Sequence, residues 1–127
     1  VTRLPAAMAF GAADDPALTE QAAAVSGAEL ASLGVDVDFA PDADVIGGPG
    51  NTVIGSRSFG SDPALVSRQV AASVRGYQSA GVTTALKHFP GHGHTDVDSH
   101  EAIPVLGQDR VALDQVAGYL ASRLIGV

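Results

Sequence analysis

Cysteine is absent from the 127 residues, so the chain forms no internal disulfide and offers no thiolate to a metal, and its redox compartment stays open. Basic residues are scarce: seven Lys and Arg stand against 14 Asp and Glu, for a formal net charge of −7. They are also scattered. Phosphate backbones and anionic membrane surfaces need clustered cations, so nucleic acid and charged lipid are poor partners. No apolar run reaches the roughly 18 residues that a membrane-spanning segment requires. The opening Val1-Thr2-Arg3-Leu4-Pro5 carries neither a signal-peptide pattern nor an initiating Met, which says little about a start lying upstream. What remains is 46% hydrophobic and 17% charged, the balance of a folded domain rather than a disordered one.

A repeat organises the chain. Asp-Pro-Ala-Leu occurs at 15–18 and again at 62–65, and Gly-Val follows each copy at the same distance, as Gly34-Val35 and Gly81-Val82. Asp15 and Asp62 suit the N-cap of a helix, and Pro16 and Pro63 suit its first position, where a missing N–H costs nothing. Helical spacing follows in both. The second copy places Val66, Val70, Val74 and Tyr77 on one face, and the first places Leu18, Ala22, Val25 and Ala28. Gly34 and Gly81 sit where a helix end needs positive φ.

Short apolar runs at 35–40 and 82–86 read as strands, and the small-residue run at 5–10 reads as another. A third helix is expected from Asp109, with Val111, Leu113, Val116 and Leu120 along one side, leading to Gly126-Val127. Strands alternating with helices argue for βα units on a parallel sheet, roughly three of them, an α/β class. Two connections are long, 41–61 and 89–108, and loops of that size are more often functional than idle. A closed (β/α)₈ barrel takes roughly 250 residues, so this chain is either a small open α/β domain or part of a barrel.

All four histidines fall in one stretch, Lys87-His88-Phe89-Pro90-Gly91-His92-Gly93-His94-Thr95-Asp96-Val97-Asp98-Ser99-His100. It leaves the end of an expected strand, the edge at which α/β barrels place their active sites. Three chemistries compete there. His92 and His94 with Asp96, Asp98 and His100 offer nitrogen and oxygen donors for a metal, although a His-x-His pair is a weak signal without a third ligand at known geometry. The loop is also readable as solvated histidines and glycines. The third reading is acid–base catalysis. Imidazole exchanges a proton near neutrality, and Asp98, two residues before His100, is placed to orient that ring.

The run Lys87-His88-Phe89-Pro90-Gly91-His92-Gly93 followed by Asp98-Ser99-His100 resembles the signature of bacterial β-N-acetylhexosaminidases of glycoside hydrolase family 3. The segment Asn51-Thr52-Val53-Ile54-Gly55-Ser56-Arg57-Ser58-Phe59-Gly60 is similar to a further element of that family, as are Phe39-Ala40-Pro41 with Asp44-Val45 and the opening Val1-Thr2-Arg3-Leu4. The likeness extends to about residue 106. It implies that residues 1–127 are part of a (β/α)₈ TIM-barrel catalytic domain that needs no cofactor and no metal. It also implies removal of terminal β-linked N-acetylglucosamine from peptidoglycan fragments or chitin-type oligosaccharides, with retention through a covalent glycosyl-enzyme. By position, His100 takes the role of proton donor and Asp98 that of its partner. Lys87 and His88 match residues that bond the sugar hydroxyls, and Arg57 matches a substrate-contacting arginine.

The resemblance also marks what is missing. The nucleophilic aspartate of the family, near a late barrel strand, has no counterpart motif here, and neither Asp44 nor Asp109 sits in one. The 127-residue chain alone is therefore expected to be inactive. Another family-3 glycosidase, a glycoside phosphorylase and a non-catalytic sugar-binding barrel segment stand as alternatives. Location is open between the cytoplasm and the envelope or exterior of a bacterium.

Overall fold

The computed structural model describes residues 2–48, 50–105 and 107–114. Its elements, in order, are α1 (Ala7–Ala13), α2 (Pro16–Ser32), β1 (Val37–Asp38), a 3₁₀ turn at Gly55–Arg57, α3 (Pro63–Ser79), β2 (Thr83–Thr84) and α4 (Arg110–Leu113). β1 and β2 pair in parallel, Val37 with Thr83 and Asp38 with Thr84. Single parallel bridges, Asp42 to Lys87 and Val45 to Gly60, carry the pairing past the strand ends. Two βα units, β1 to α3 and β2 to α4, thus stand among the described residues. The last expected strand, at Gly126-Val127, lies outside them, as do Val116 and Leu120 of the expected third helix.

The repeat is structural. Asp15 caps α2 by accepting the N–H groups of Ala17 and Leu18, and Asp62 caps α3 by accepting that of Ala64. At the far ends Gly34 (φ 79°) and Gly81 (φ 82°) adopt the left-handed conformation. The closing bonds match in both helices. Gly34 N–H donates to Ala31 O and Val35 N–H to Leu30 O; Gly81 N–H donates to Gln78 O and Val82 N–H to Tyr77 O. This double closure satisfies carbonyls that the last turn would otherwise leave open.

Two expectations are corrected. Residues 5–10 form no strand; they enter α1. A short apolar run is ambiguous between strand and helix, and here alanine, the strongest helix former, decides it. Gly11 of α1 lies so close to the Phe59 carbonyl that a Cβ would run into it. The face of α2 is also rotated from the expected one. Leu18, Val25 and Ala28 are exposed, and the buried residues are Thr19, Ala23 and Gly27. The reason is the closeness of α2 to α3. A Cβ on Gly76 would meet Glu20 O and Ala23, and one on Gly27 would sit 3.0 Å from the Ala80 methyl. Backbones this near admit only small side chains, so burial follows size here more than hydrophobicity. Within that seam the Thr19 hydroxyl donates to Gln69 Oε1. Arg68–Asp14 at 2.7 Å and Arg75–Glu20 at 2.8 Å tie the helices from the solvent side.

The expected face of α3 is correct: Val66, Val70 and Val74 are buried and join Ala43, Val45 and Phe59 in the core. The core therefore lies between α3 and the loop after β1. It fixes the base of that loop and, through the Asp42–Lys87 bridge, the start of the loop after β2. Among the described residues no helix is long and apolar enough to cross a membrane.

Candidate active site

The two long loops leave the same edge of the sheet, and their first residues are sewn together. Ala43 N–H donates to Lys87 O at 2.6 Å, and Lys87 N–H to Pro41 O at 3.3 Å. This pairing delivers Asp44, from the loop after β1, to His88 and His92, from the loop after β2. The Asp44 carboxylate is buried. His88 Nδ1 lies 2.6 Å from its Oδ2, the His88 N–H donates to Oδ2 at 3.3 Å, and the His92 N–H donates to Oδ1. Ser58 Oγ holds the Asp44 carbonyl at 2.6 Å. The loop closes tightly around this node. Gly93 lies where a Cβ would strike the Val45 carbonyl, and its own carbonyl accepts the Gly47 N–H at 2.8 Å. Asn51 bonds the carbonyls of His92 and Thr95, at 3.2 and 2.8 Å.

Asp42 is the second buried acid. Its Oδ1 accepts the Asp44 N–H at 2.9 Å, and its Oδ2 is buried without a hydrogen-bond partner. Burial, with the neighbouring Asp44 reinforcing it, pushes the Asp42 carboxyl up to about 6. Asp42, Asp44 and His88 place one donor atom each within 4.8 Å of the others, so they are the residues here that could hold a metal ion. The expected donor set built on His92, His94, Asp96, Asp98 and His100 does not gather in this way: among the described residues it does not share a common centre. His94 and Asp96 are exposed. Even for Asp42, Asp44 and His88 the bonding describes a hydrogen-bonded node, because a backbone N–H already donates to each oxygen of Asp44 and His88 Nδ1 lies against Oδ2.

Further along the same loop stands the expected pair. His100 Nδ1 lies 2.7 Å from Asp98 Oδ1, which also accepts the His100 N–H at 2.9 Å. Glu101 and Ala102 turn back onto the Asp98 carbonyl, both at 3.0 Å. His100 is almost fully in solvent, its side chain 91% exposed, and Asp98 is 40% exposed. The backbone N–H of His100, and then its ring, hold the Asp98 carboxyl below the ordinary carboxylate value. Among the described residues no hydrogen bond or ion pair joins this pair to the Asp44 node.

Lys87 is partly buried beside the sheet edge, and Arg57 ends the 3₁₀ turn. Arg57 Nη2 donates to Val53 O at 2.8 Å, which braces its own loop. The structure thus brings His88 to a node that spacing along the chain did not reveal, and Asp42 and Asp44 are its missed members. Beyond the family likeness at Asp44-Val45, their sequence signal was two acids inside the otherwise apolar run 39–46 just past a strand.

Residues 1–125 match the family described as "Glycosyl hydrolase family 3 N terminal domain". The chain belongs to glycosyl hydrolase family 3. It is 48% identical over 97 residues to a protein named Beta-hexosaminidase A from Pseudoalteromonas piscicida, covering 76% of this chain and 16% of that one. A solved glycoside hydrolase family 3 β-N-acetylglucosaminidase from Paenibacillus sp. str. FPU-7 superposes with a TM-score of 0.94 at 46% identity, over 98% of this chain and 24% of that one. A solved β-glucoside phosphorylase, BglX, bound to 2FGlc superposes with a TM-score of 0.93 at 31% identity, over 98% of this chain and 22% of that one. The chain therefore spans about a sixth to a quarter of the length of these relatives.

Proposed function

We propose that the full-length protein carrying this chain is a retaining β-N-acetylhexosaminidase, and that residues 1–127 form part of its (β/α)₈ barrel catalytic domain. The observation that carries this reading is the formed Asp98–His100 pair, 2.7 Å apart, on an exposed loop at the sheet edge. With Nδ1–H given to Asp98, His100 keeps Nε2 for proton exchange. In the first step a carboxylate attacks the anomeric carbon, the glycosidic C–O bond breaks, and the His100 Nε2–H protonates the departing oxygen. In the second, Nε2 takes a proton from water as its oxygen attacks the glycosyl-enzyme, releasing the sugar. Lys87, His88 and Arg57 hold the sugar hydroxyls. The substrate is a glycan ending in β-linked N-acetylglucosamine, of the peptidoglycan-fragment or chitin type.

The attacking carboxylate comes from outside these 127 residues. Asp44 is excluded from that role by its burial and by its three N–H donors. Full-length protein should release chromophore from an aryl β-N-acetylglucosaminide, and His100→Ala should lower kcat roughly 10²–10⁴-fold. The 127-residue chain alone should release none. Unchanged turnover in His100→Ala rejects the assignment.

The likeness to the solved β-glucoside phosphorylase favours a second reading, in which phosphate rather than water attacks the intermediate. Its exposed surroundings leave His100 open to either acceptor. Comparing product with and without inorganic phosphate separates them: a sugar 1-phosphate marks the phosphorylase.

A further inference from the structure

We infer that Asp44 is a positioning residue of the sugar site, fixing His88 as its Nδ1–H tautomer so that Nε2 is the nitrogen offered to substrate. The inference rests on the proposed role of His88 as a sugar contact. Its argument begins with proton counting. The two backbone N–H groups that reach Asp44, from His88 to Oδ2 and from His92 to Oδ1, are obligate donors, so both oxygens act as acceptors. A carboxylate has no proton of its own to give, so His88 Nδ1, 2.6 Å from Oδ2, is the partner that carries hydrogen. In the neutral ring that leaves Nε2 unprotonated, an acceptor for a sugar hydroxyl. The hydrogen bond at one ring nitrogen sets what the other can do.

The carboxylate is itself immobilised, as a positioning group must be. Its side chain is 0% exposed, its N–H is held by Asp42 Oδ1 and its carbonyl by Ser58 Oγ. The His88 side chain remains 36% exposed, so the ring it holds is still reachable from solvent. Asp44 also ties two loops together: it comes from the loop after β1, and both of its histidines come from the loop after β2. Position and tautomer of His88 are thus set by one group 44 residues away in sequence.

The test uses the full-length protein. In wild type, ¹⁵N spectra of labelled histidine should show neutral His88 with hydrogen on Nδ1; hydrogen on Nε2 overturns the inference. Asp44→Asn keeps the volume but turns one acceptor arm into a donor facing an N–H. It should lower kcat/KM for the aryl glycoside roughly 10–100-fold, mainly through KM, and leave the pH limb set by His100 in place. If Asp44 acts through His88, the double variant Asp44→Asn/His88→Asn should be no worse than the poorer single variant. Losses that multiply would assign Asp44 a separate structural role and overturn the inference. Should Asp44→Asn fail to fold, the wild-type spectra still decide. Should the wild type turn over no N-acetylglucosaminide, the functional reading falls, and the same spectra judge the hold of Asp44 on His88 by itself.

Discussion

Two Asp–His pairs occupy the same loop region and differ in almost everything except length. Asp44–His88 closes at 2.6 Å and Asp98–His100 at 2.7 Å. The first carboxylate is wholly buried, accepts three N–H groups and joins two loops. The second is 40% exposed and, among the described residues, bonds only its near neighbour. A short contact distance therefore does not define a role. A buried, saturated carboxylate is suited to holding an imidazole still, since any motion would leave buried donors unpaired. A pair whose two members are two residues apart keeps its contact when the loop swings, which suits a proton donor that approaches and then withdraws. On the function proposed above, the first pair would shape the pocket and the second would deliver the proton.

That contrast breaks most visibly in stability. Asp44→Ala leaves two backbone N–H groups and a ring N–H without their acceptor, and should cost about 3 kcal/mol in urea unfolding of the full-length protein. Asp98→Ala, at an exposed pair, should shift the unfolding midpoint far less. If both variants unfold alike, the distinction between a buried and an exposed pair is lost. A smaller effect separates the two in kinetics. Asp98→Asn should lower kcat roughly 10–100-fold, because the amide no longer fixes the His100 tautomer as the carboxylate does. Its KM should change little. A loss confined to KM would move Asp98 from proton transfer to binding and blur the comparison.

How far the sequence foretold this depends on distance along the chain. The caps at Asp15 and Asp62 and the turns at Gly34 and Gly81 were legible because their partners lie within six residues. Asp98–His100 was legible for the same reason. The face of α3 was legible because valines face a deep core. The face of α2 was not, since Thr19, Ala23 and Gly27 are buried by backbone proximity that hydrophobicity does not encode. Asp44 and His88 are 44 residues apart, and only the parallel pairing of β1 with β2 brings them together. Gly93 is explained only by the fold, through the passage of the Val45 carbonyl.

Asp42 sharpens the comparison further, because it sits beside the buried pair with its Oδ2 3.8 Å from His88 Nδ1. Its Oδ2 has no hydrogen-bond partner, and its carboxyl is raised from 3.8 to about 6. A raised folded value means that, from about pH 4 to about pH 6, the folded chain holds a proton that the unfolded chain has lost. Stability attributable to this group is therefore complete below pH 4, declines through that window and is gone above it, where the charge stays buried. Asp42→Asn preserves the Oδ1 acceptor for the Asp44 N–H and removes the charge. Relative to wild type, the variant should gain about 1–3 kcal/mol between pH 4 and pH 7, read as the change in the difference between the two unfolding free energies. Measuring the difference cancels the opposite slope from carboxylates held low, such as Asp14, Glu29 and Asp98. Curves that run parallel from pH 4 to pH 7 would show that Asp42 ionises freely. The region beside His88 would then be as solvated as that beside His100, and the contrast between the two pairs would rest on hydrogen bonding alone.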